Sequence, residues 1–529
     1  MENTIQIPYA STGSFGAIFL DYLHEEQKLK PFYTYAPSIS SFEKVIADRK
    51  KQSINRAVLV QVLKEQYQAI DASELTLQNI AALAKENTFT ITTGHQLSLF
   101  TGELYFIYKI ITCINLAGKA AAANPGNKIV PVFWMASEDH DFEEINHANI
   151  AGTKFEWKAE SGGALGELAT SGIDQIIDSI DHYLGNQAGK EKIIRLFKLA
   201  YTEQKSLAAA TRILVNELFK QYGLVIIDAN HPLLKKEFAE IIGSDIFEQN
   251  SFHRVTETNN LLEGHYPIQV NPREINFFYL SENTRSRIIK TETGFETADQ
   301  KNQFSSDELR AEINLHPENF SPNVLMRPLY QESILPNLAY VGGPGEMAYW
   351  LQLKSTFAHY QIPFPMLAWR NSFALTNQKQ LKAIQTLLPS TESIFKPLKE
   401  LIDAYVTTHS QNILSLDTEQ QKIKEQILAI QSKLQNIDQT LLASSAAAIT
   451  KIANLLKGLE KKMQKAEKKN HTVAIQQIEK IKEAFYPNGI LQERQENFSY
   501  WYMHHDSFIQ LIKNNSEPLN KHFTILSVD

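Results

Sequence analysis

Two β-rich runs with a helical stretch between them constrain this chain more than any other feature. Residues 88–93 (TFTITT) are β-rich and stop at Gly94. From Glu103 to about Ala123 large side chains recur at helical spacing, among them Tyr105, Tyr108, Ile111 and Leu116. Asn124-Pro125-Gly126-Asn127 breaks that pattern, and Ile129 to Ala136 (IVPVFWMA) then reads as a buried strand entering a polar loop. This order predicts a right-handed strand–helix–strand unit with a parallel strand pair. Three further runs suit the same sheet: Leu224–Asp228, Leu338–Val341 and Phe364–Trp369, the last an edge strand because of its prolines. The expected fold is α/β, a parallel sheet of about five strands with helices on both faces. Residues 150–222 and 231–335 read as insertions, the second with hairpin strands expected at Ile275–Leu280 and Arg287–Lys290.

The region from about Thr376 to Lys482 has a different grammar. No proline falls between Pro397 and Pro487. Ile423, Ile427, Ile430, Leu434, Ile437 and Leu441 alternate at four and three residues. Ile449, Ile452, Leu456, Leu459, Met463 and Ala466 form a second run, and Ala474, Ile478, Ile481 and Phe485 a third. This is a coiled-coil seam, with interruptions expected at Ser444-Ser445 and at Lys469-Asn470-His471. Such a seam needs a partner, either its own return helix or a second subunit.

Composition narrows the classes. At 529 residues the chain is too long for one compact core. A formal net charge of −7 argues against a general nucleic-acid binder. The single cysteine, Cys113, permits no intrachain disulfide and favours a reducing compartment. It lies in the helical run and reads as a small buried apolar residue. The start, MENTIQIPYA, lacks a basic-then-apolar leader, and no run reaches the roughly 18 apolar residues of a membrane span. A cytoplasmic protein without a membrane or nucleic-acid partner is expected.

Three constellations carry chemistry. The first is Gly94, His95 and Gln96, with Thr101, Gly102, Tyr105 and Lys109 following. It sits at a strand's carboxyl end, where open α/β sheets bind ligands. His95 and Lys109 can neutralise phosphate, although a plain strand-to-helix turn explains the pattern equally. The second runs from Ser137 and Glu138 through Asp139, His140 and Asp141 to Glu143, Glu144, Asn146 and His147. Its carboxylates can bind or deprotonate an amine, or hold Mg²⁺, and no zinc-ligand spacing is present. The plainer reading is a capped helix start. The third is Gly342-Gly343-Pro344-Gly345-Glu346, with Tyr340 before it and Tyr349 and Trp350 after. Backbone there can cradle an anion, and upstream Arg327, with Gln331 and Glu332 nearby, can pair with one. Structural ion pairing serves Arg327 equally.

The runs TTGHQLSLFTGELYFIYK, PVFWMASEDHDFEEINH, QVNPREINFFYL, MRPLYQESILPNLAYVGGPGEMAYW and PNGILQER, with TGSFGAIFLDYL near the start, resemble the bacillithiol biosynthesis cysteine-adding enzyme family, BshC. The resemblance implies a Rossmann-like core with connective insertions and a coiled coil used for homodimerisation. The organisation it implies is core over 1–150, a mixed insertion over 151–222, a core strand over 223–230 and a connective subdomain over 231–335. Core 336–375, coiled coil 376–485 and a segment 486–529 returning to the core complete it. The implied reaction is amide formation between the carboxyl of cysteine and the amine of glucosaminyl-malate. A carboxylate must be activated before it acylates an amine, which calls for ATP with its magnesium. Gly94, His95, Gln96, Lys109 and the Gly342–Gly345 turn would then face phosphate charge. Asp139, His140 or Asp141 would bind or deprotonate the amine, so that Asp141→Asn should leave the fold intact and abolish activity. Asn488, Gly489, Gln492 and Arg494 form a candidate second nucleotide pocket, although Pro487-Asn488-Gly489 is also an ordinary turn. The alternatives are another carboxylate-activating ligase or nucleotidyltransferase on this core, a metal-dependent hydrolase using residues 138–147, and a non-enzymatic scaffold.

Overall fold

The computed structural model describes residues 4–281 and 283–528. The chain divides into two compact units, one of residues 4–374 with 491–528 and one of 375–490.

The larger unit is built on a five-stranded parallel sheet. In chain order its first elements are β1 (Thr88–His95), α1 (Tyr105–Ala123), β2 (Lys128–Met135) and β3 (Val225–Asp228). An insertion then supplies β4 (Phe277–Ser281) and β5 (Thr284–Lys290). The sheet is completed by β6 (Asn337–Gly342), followed by α2 (Pro344–Trp350) and β7 (Met366–Trp369). Strand order is β7-β6-β1-β2-β3, all neighbours parallel, and β7, which follows Pro363 and Pro365, lies at the edge as expected. All five anticipated strands are present.

Side-chain alternation sets the two faces. Phe89 and Ile91 of β1 join Ile129, Ala339 and Val341 in one cluster with Cys113, Leu116, Ala117 and Ala120 of α1. The intervening residues point the other way, where Trp134 meets the Tyr330 ring edge-on and Tyr340 stacks on Trp350. Cys113 is fully buried; burial pushes its thiol up to about 12, so it is no nucleophile. α1 is long and apolar enough to cross a membrane by length and composition, but 67% of that stretch is buried within the unit.

The insertion carries its own five-stranded antiparallel sheet, in which β4 and β5 form a hairpin with Phe278 opposite Arg287. At the chain's ends Thr4–Pro8 pairs antiparallel with His522–Ser527.

The smaller unit is helical: α3 (Gln378–Leu387), α4 (Leu398–His409), α5 (Asp417–Gln435), α6 (Leu441–Asn470) and α7 (Thr472–Phe485). α5 and α6 form an antiparallel hairpin. Gln431 Nε2 donates to Ser445 Oγ at 2.6 Å and the Leu416 amide to Glu460 at 2.7 Å, both pairs centred on residue 438. The return helix is therefore the seam's partner along this pair. The anticipated break at Ser444-Ser445 falls inside α6; the chain reverses at 436–440 instead, where Asp438 Oδ1 accepts the Thr440 amide. Ile437 sits in this turn and is 77% exposed. The break near Lys469–His471 does occur, between α6 and α7. The seam also drifts from the expected phase. Ile430 and Leu459 are half-exposed, while Gln431, Ser445, Glu460 and Glu467 take seam positions. Glu467 accepts from Ser410 Oγ and Asn412 Nδ2, so the polar positions tie down the loop before α5.

Candidate active site

The strand order reverses direction between β1 and β6: from β1 the chain adds β2 and β3 on one side, and later β6 and β7 on the other. Ligands of open α/β sheets bind outside the carboxyl ends of the strands at such a point. A cavity of about 730 Å³ lies there.

At the switch point, β1 ends in Gly94-His95 and β6 in Gly342. Lys109, one turn into α1 and buried, donates to the Gly94 carbonyl at 2.5 Å and to Glu346 Oε2 at 2.6 Å. Glu346 also accepts from the Tyr340 hydroxyl at 2.6 Å and the Gly343 amide at 2.8 Å. Burial opposes its charge, but Lys109 and these donors outweigh that and hold Glu346 at about 2. His95 packs against Tyr105 and Phe106, with Nδ1 3.0 Å from the Gln96 carbonyl. A carbonyl only accepts, so the proton sits on Nδ1. Burial, then the Lys109 charge, lower His95 to about 4. It is therefore neutral in neutral solution.

The loop after β2 forms the adjoining wall. Ser137 Oγ is 2.5 Å from Asp228 Oδ1 at the end of β3. Glu138 pairs with Lys235, which is fully buried and also donates to the Phe320 carbonyl. Asp139 Oδ2 accepts from Gln96 Nε2 at 2.7 Å, and Oδ1 accepts the His140 amide at 2.7 Å. Burial would raise Asp139, but hydrogen bonds from His140 and Gln96 hold it well below the usual carboxylate range. The loop is clamped from outside: the Leu165 amide donates to the Asp139 carbonyl and the Gly166 amide to that of Ser137. A Cβ on Gly166 would stand 2.6 Å from Ser137 Cβ, so only glycine permits this approach.

The third wall comes from the insertion: Asn271, Arg273, Ile275, Phe278, Arg285 and Arg287, with Pro322, Asn323 and Val324. None of these is among the site residues that the sequence points to, although Asn271, Arg273, Ile275 and Phe278 fall in the QVNPREINFFYL run. The available signal was Arg285 and Arg287, two residues apart on a strand and hence on one face.

Of the anticipated residues, Gly94, His95, Gln96, Tyr105, Lys109, Ser137, Glu138, Asp139, Arg327, Tyr340, Glu346 and Tyr349 line this cavity. The others sit elsewhere. His140 is exposed and holds Arg285 Nη1 at 2.8 Å through Nδ1; Asp141 is exposed. Thr101 and Gly102 are buried in a turn of left-handed backbone, where Asn497 Nδ2 donates to the Phe100 and Gly102 carbonyls. Asn146 bonds His147 beside the cavity loop, not within it. Gln331 is buried and accepts from Arg327 Nη1 at 3.0 Å, orienting that arginine between the Trp134 and Tyr340 rings. The Gly343 amide is taken by Glu346 and Gly345 is exposed, so the turn positions a carboxylate instead of cradling an anion. Trp350 is core. Asn488 and Gly489 belong to the helical unit and Gln492 and Arg494 to the larger one, with Gln492 buried.

Fold and site together define a Rossmann-like protein with a ligand cavity at its switch point and a separate coiled-coil unit. Residues 2–371 match the family described as bacillithiol biosynthesis BshC, N-terminal Rossmann-like domain. Residues 373–528 match the corresponding C-terminal coiled-coil domain. The chain belongs to the bacillithiol biosynthesis BshC family. Similar proteins include one from Flavobacterium johnsoniae, 42% identical over 99% of both chains. Others come from Flavobacterium psychrophilum, at 41% over 98% of both, and Christiangramia forsetii, at 40% over 98% of both. Each of the three bears the name "Putative cysteine ligase BshC".

Proposed function

We propose that this chain joins the carboxyl of L-cysteine to the amine of glucosaminyl-malate, with ATP as activating cosubstrate. At neutral pH a carboxylate and an ammonium form a salt, not an amide, so the carboxyl must first become an adenylate or acyl phosphate. Forming the adenylate releases pyrophosphate and forming the acyl phosphate releases ADP. The amine, its ammonium proton lost to solvent, then attacks the carbonyl carbon, forms the C–N bond, expels AMP or phosphate and gives up a second proton. Lys109 and Arg327 at the switch point offset the phosphate charge, as fixed donors do where charge develops. Magnesium brought in with the nucleotide would add further neutralisation of the phosphate charge. Among the described residues no three His, Cys, Asp or Glu side chains are grouped to hold a metal ion. Asp139 holds the substrate ammonium; because it is so acidic, its role is electrostatic orientation and not deprotonation of a free ammonium. His95, neutral in neutral solution, presents Nε2 as an acceptor.

The observation that carries this reading is one cavity shared by the Lys109–Glu346 pair and the Asp139–Gln96 pair, in a chain of this family. The test is incubation of the purified protein with cysteine, glucosaminyl-malate and ATP, with thiol product and spent nucleotide identified by mass. Amide product that requires all three supports it; unchanged substrates, with nucleotide bound or not, refute it. The exposed apolar residues Leu428, Ile430, Leu455 and Leu459 support a homodimer through the helical unit. Sedimentation should give a dimer that Leu455→Glu with Leu459→Glu converts to monomer; an unchanged mass rejects this surface.

A further inference from the structure

We propose that the inserted hairpin is the specificity element of the cavity, Arg285 and Arg287 with Arg273 beside them holding a short dicarboxylate arm of the amine substrate. The identity of that substrate rests on the ligase reading; the anion site rests on the geometry alone.

β5 runs Thr284-Arg285-Ser286-Arg287, so strand alternation sends both arginines to one face, and both line the cavity. Arg285 is fixed before any ligand arrives. Its Nε donates to Ser321 Oγ at 3.0 Å, Nη2 to the Pro322 carbonyl at 3.1 Å and Nη1 to His140, and its plane lies 4.0 Å over the Phe278 ring. Three of its five N–H groups are thus used and two remain. Arg287 and Arg273 have no ion pair and no side-chain hydrogen bond among the described residues.

Charge balance favours an anion here. The cavity is lined by five Lys or Arg and three Asp or Glu, inside a protein of net charge −7. The three carboxylates are already served: Glu138 by Lys235, Asp139 by Gln96 and the His140 amide, Glu346 by Lys109. The surplus is cationic and concentrated on the insertion. A planar guanidinium with parallel donors suits a carboxylate bidentately, and two arginines on one strand face suit two carboxylates.

Phosphate offers related chemistry, but position separates the two. Nucleotides in such sheets sit at the switch point, which here has Lys109 and Arg327; Arg327 Nη2 is buried without a hydrogen-bond partner although Tyr349 lies beside it. The hairpin arginines instead adjoin the loop after β2, through His140, and the Phe320–Pro322 strand.

The test is calorimetric titration of L-malate, and separately of ATP, into wild type, Arg287→Ala, Arg287→Lys and Arg273→Ala. L-malate should bind wild type and lose roughly tenfold in affinity or more in Arg287→Ala, with ATP affinity unmoved. Arg287→Lys should recover only part, since an ammonium cannot bridge both carboxylate oxygens. Exposed Arg273 provides a variant that folds even if Arg287→Ala does not. Absence of L-malate binding to wild type, or equal affinity in all variants, overturns the proposal. Parallel loss of ATP affinity overturns it too, by giving the arginines to phosphate. Catalysis separates the two readings. Wild type that binds L-malate yet makes no amide refutes the ligase and leaves this site standing. Amide formation with an unchanged KM for glucosaminyl-malate in Arg287→Ala and Arg273→Ala does the reverse.

Discussion

Two buried ion pairs of the larger unit differ in their setting and not in their chemistry. Arg370 donates from both terminal nitrogens to the two Glu493 oxygens at 2.8 Å, and Nη1 also serves the Asn371 carbonyl and Ser372 Oγ. Their side chains are 2% and 0% exposed, and neither lines the cavity. Lys109 and Glu346 are bonded as closely, but Glu346 is 27% exposed and both residues line the cavity. The closed pair backs the open one: Arg370 lies 5.0 Å over the ring of Tyr105, itself a cavity residue. Burial alone therefore does not mark a functional charge. What marks it is a face left open to a ligand.

Removing one carboxylate charge from each pair tests the distinction most severely. Glu346→Gln should lower kcat about 10²- to 10³-fold, the scale of losing a positioned charge partner. Glu493→Gln should instead cost about 3–5 kcal/mol of stability by stranding Arg370, with activity per folded molecule retained. Thermal melting and folded-fraction-corrected kinetics check both. Equal loss of kcat in the two variants would erase the comparison. Next in size is the pair Asp139→Asn and Asp141→Asn. The first should lose roughly tenfold or more in kcat/KM, the scale of a charge-assisted hydrogen bond, while exposed Asp141 should tolerate the change. An inactive Asp141→Asn enzyme would return the amine to the sequence-based assignment. Gly166→Ala should cost about 1–3 kcal/mol through overpacking against Ser137, seen as earlier melting with lower affinity for the amine.

The smallest effect is in pH dependence. Glu346 is depressed to about 2 from its ordinary 4.5, so its stabilising contribution is full above 4.5 and is lost as pH falls toward 2. His95, lowered from 6.5 to about 4, acts in the same direction. The unfolded chain takes up that proton first, so stability falls between pH 6.5 and 4. An NMR titration should keep the His95 ring neutral down to about pH 4, and His95→Gln should flatten the melting profile over this window. A His95 that protonates near 6.5 would place it outside the buried electrostatics of the open pair.

Much of the sheet was legible because its strands are short apolar runs bounded by turn residues. The loop after β2 was legible because Ser137-Glu138-Asp139 breaks abruptly from Phe133-Trp134-Met135. What stayed hidden depends on contacts distant in sequence. Arg285 reaches His140 across 145 residues, a juxtaposition created only when the insertion folds back. Thr101 and Gly102 looked like ligand-facing residues, yet positive φ at Phe100, Thr101 and Gly102 turns that segment toward Asn497. In the helical unit, strict heptad counting kept Ile430 and Leu459 in the seam. The real contact line passes through Gln431 and Glu460, whose side chains make specific hydrogen bonds.

The α5–α6 hairpin is symmetric about residue 438, and that mirror line limits how its length can change. Seven residues deleted from the outgoing arm shorten it by about 10 Å and must be matched by seven from the returning arm. Unmatched, Glu460 would lose the Leu416 amide and each facing pair would slide out of step. Insertions and deletions in this family's coiled coil are therefore expected as balanced twins on either side of the tip.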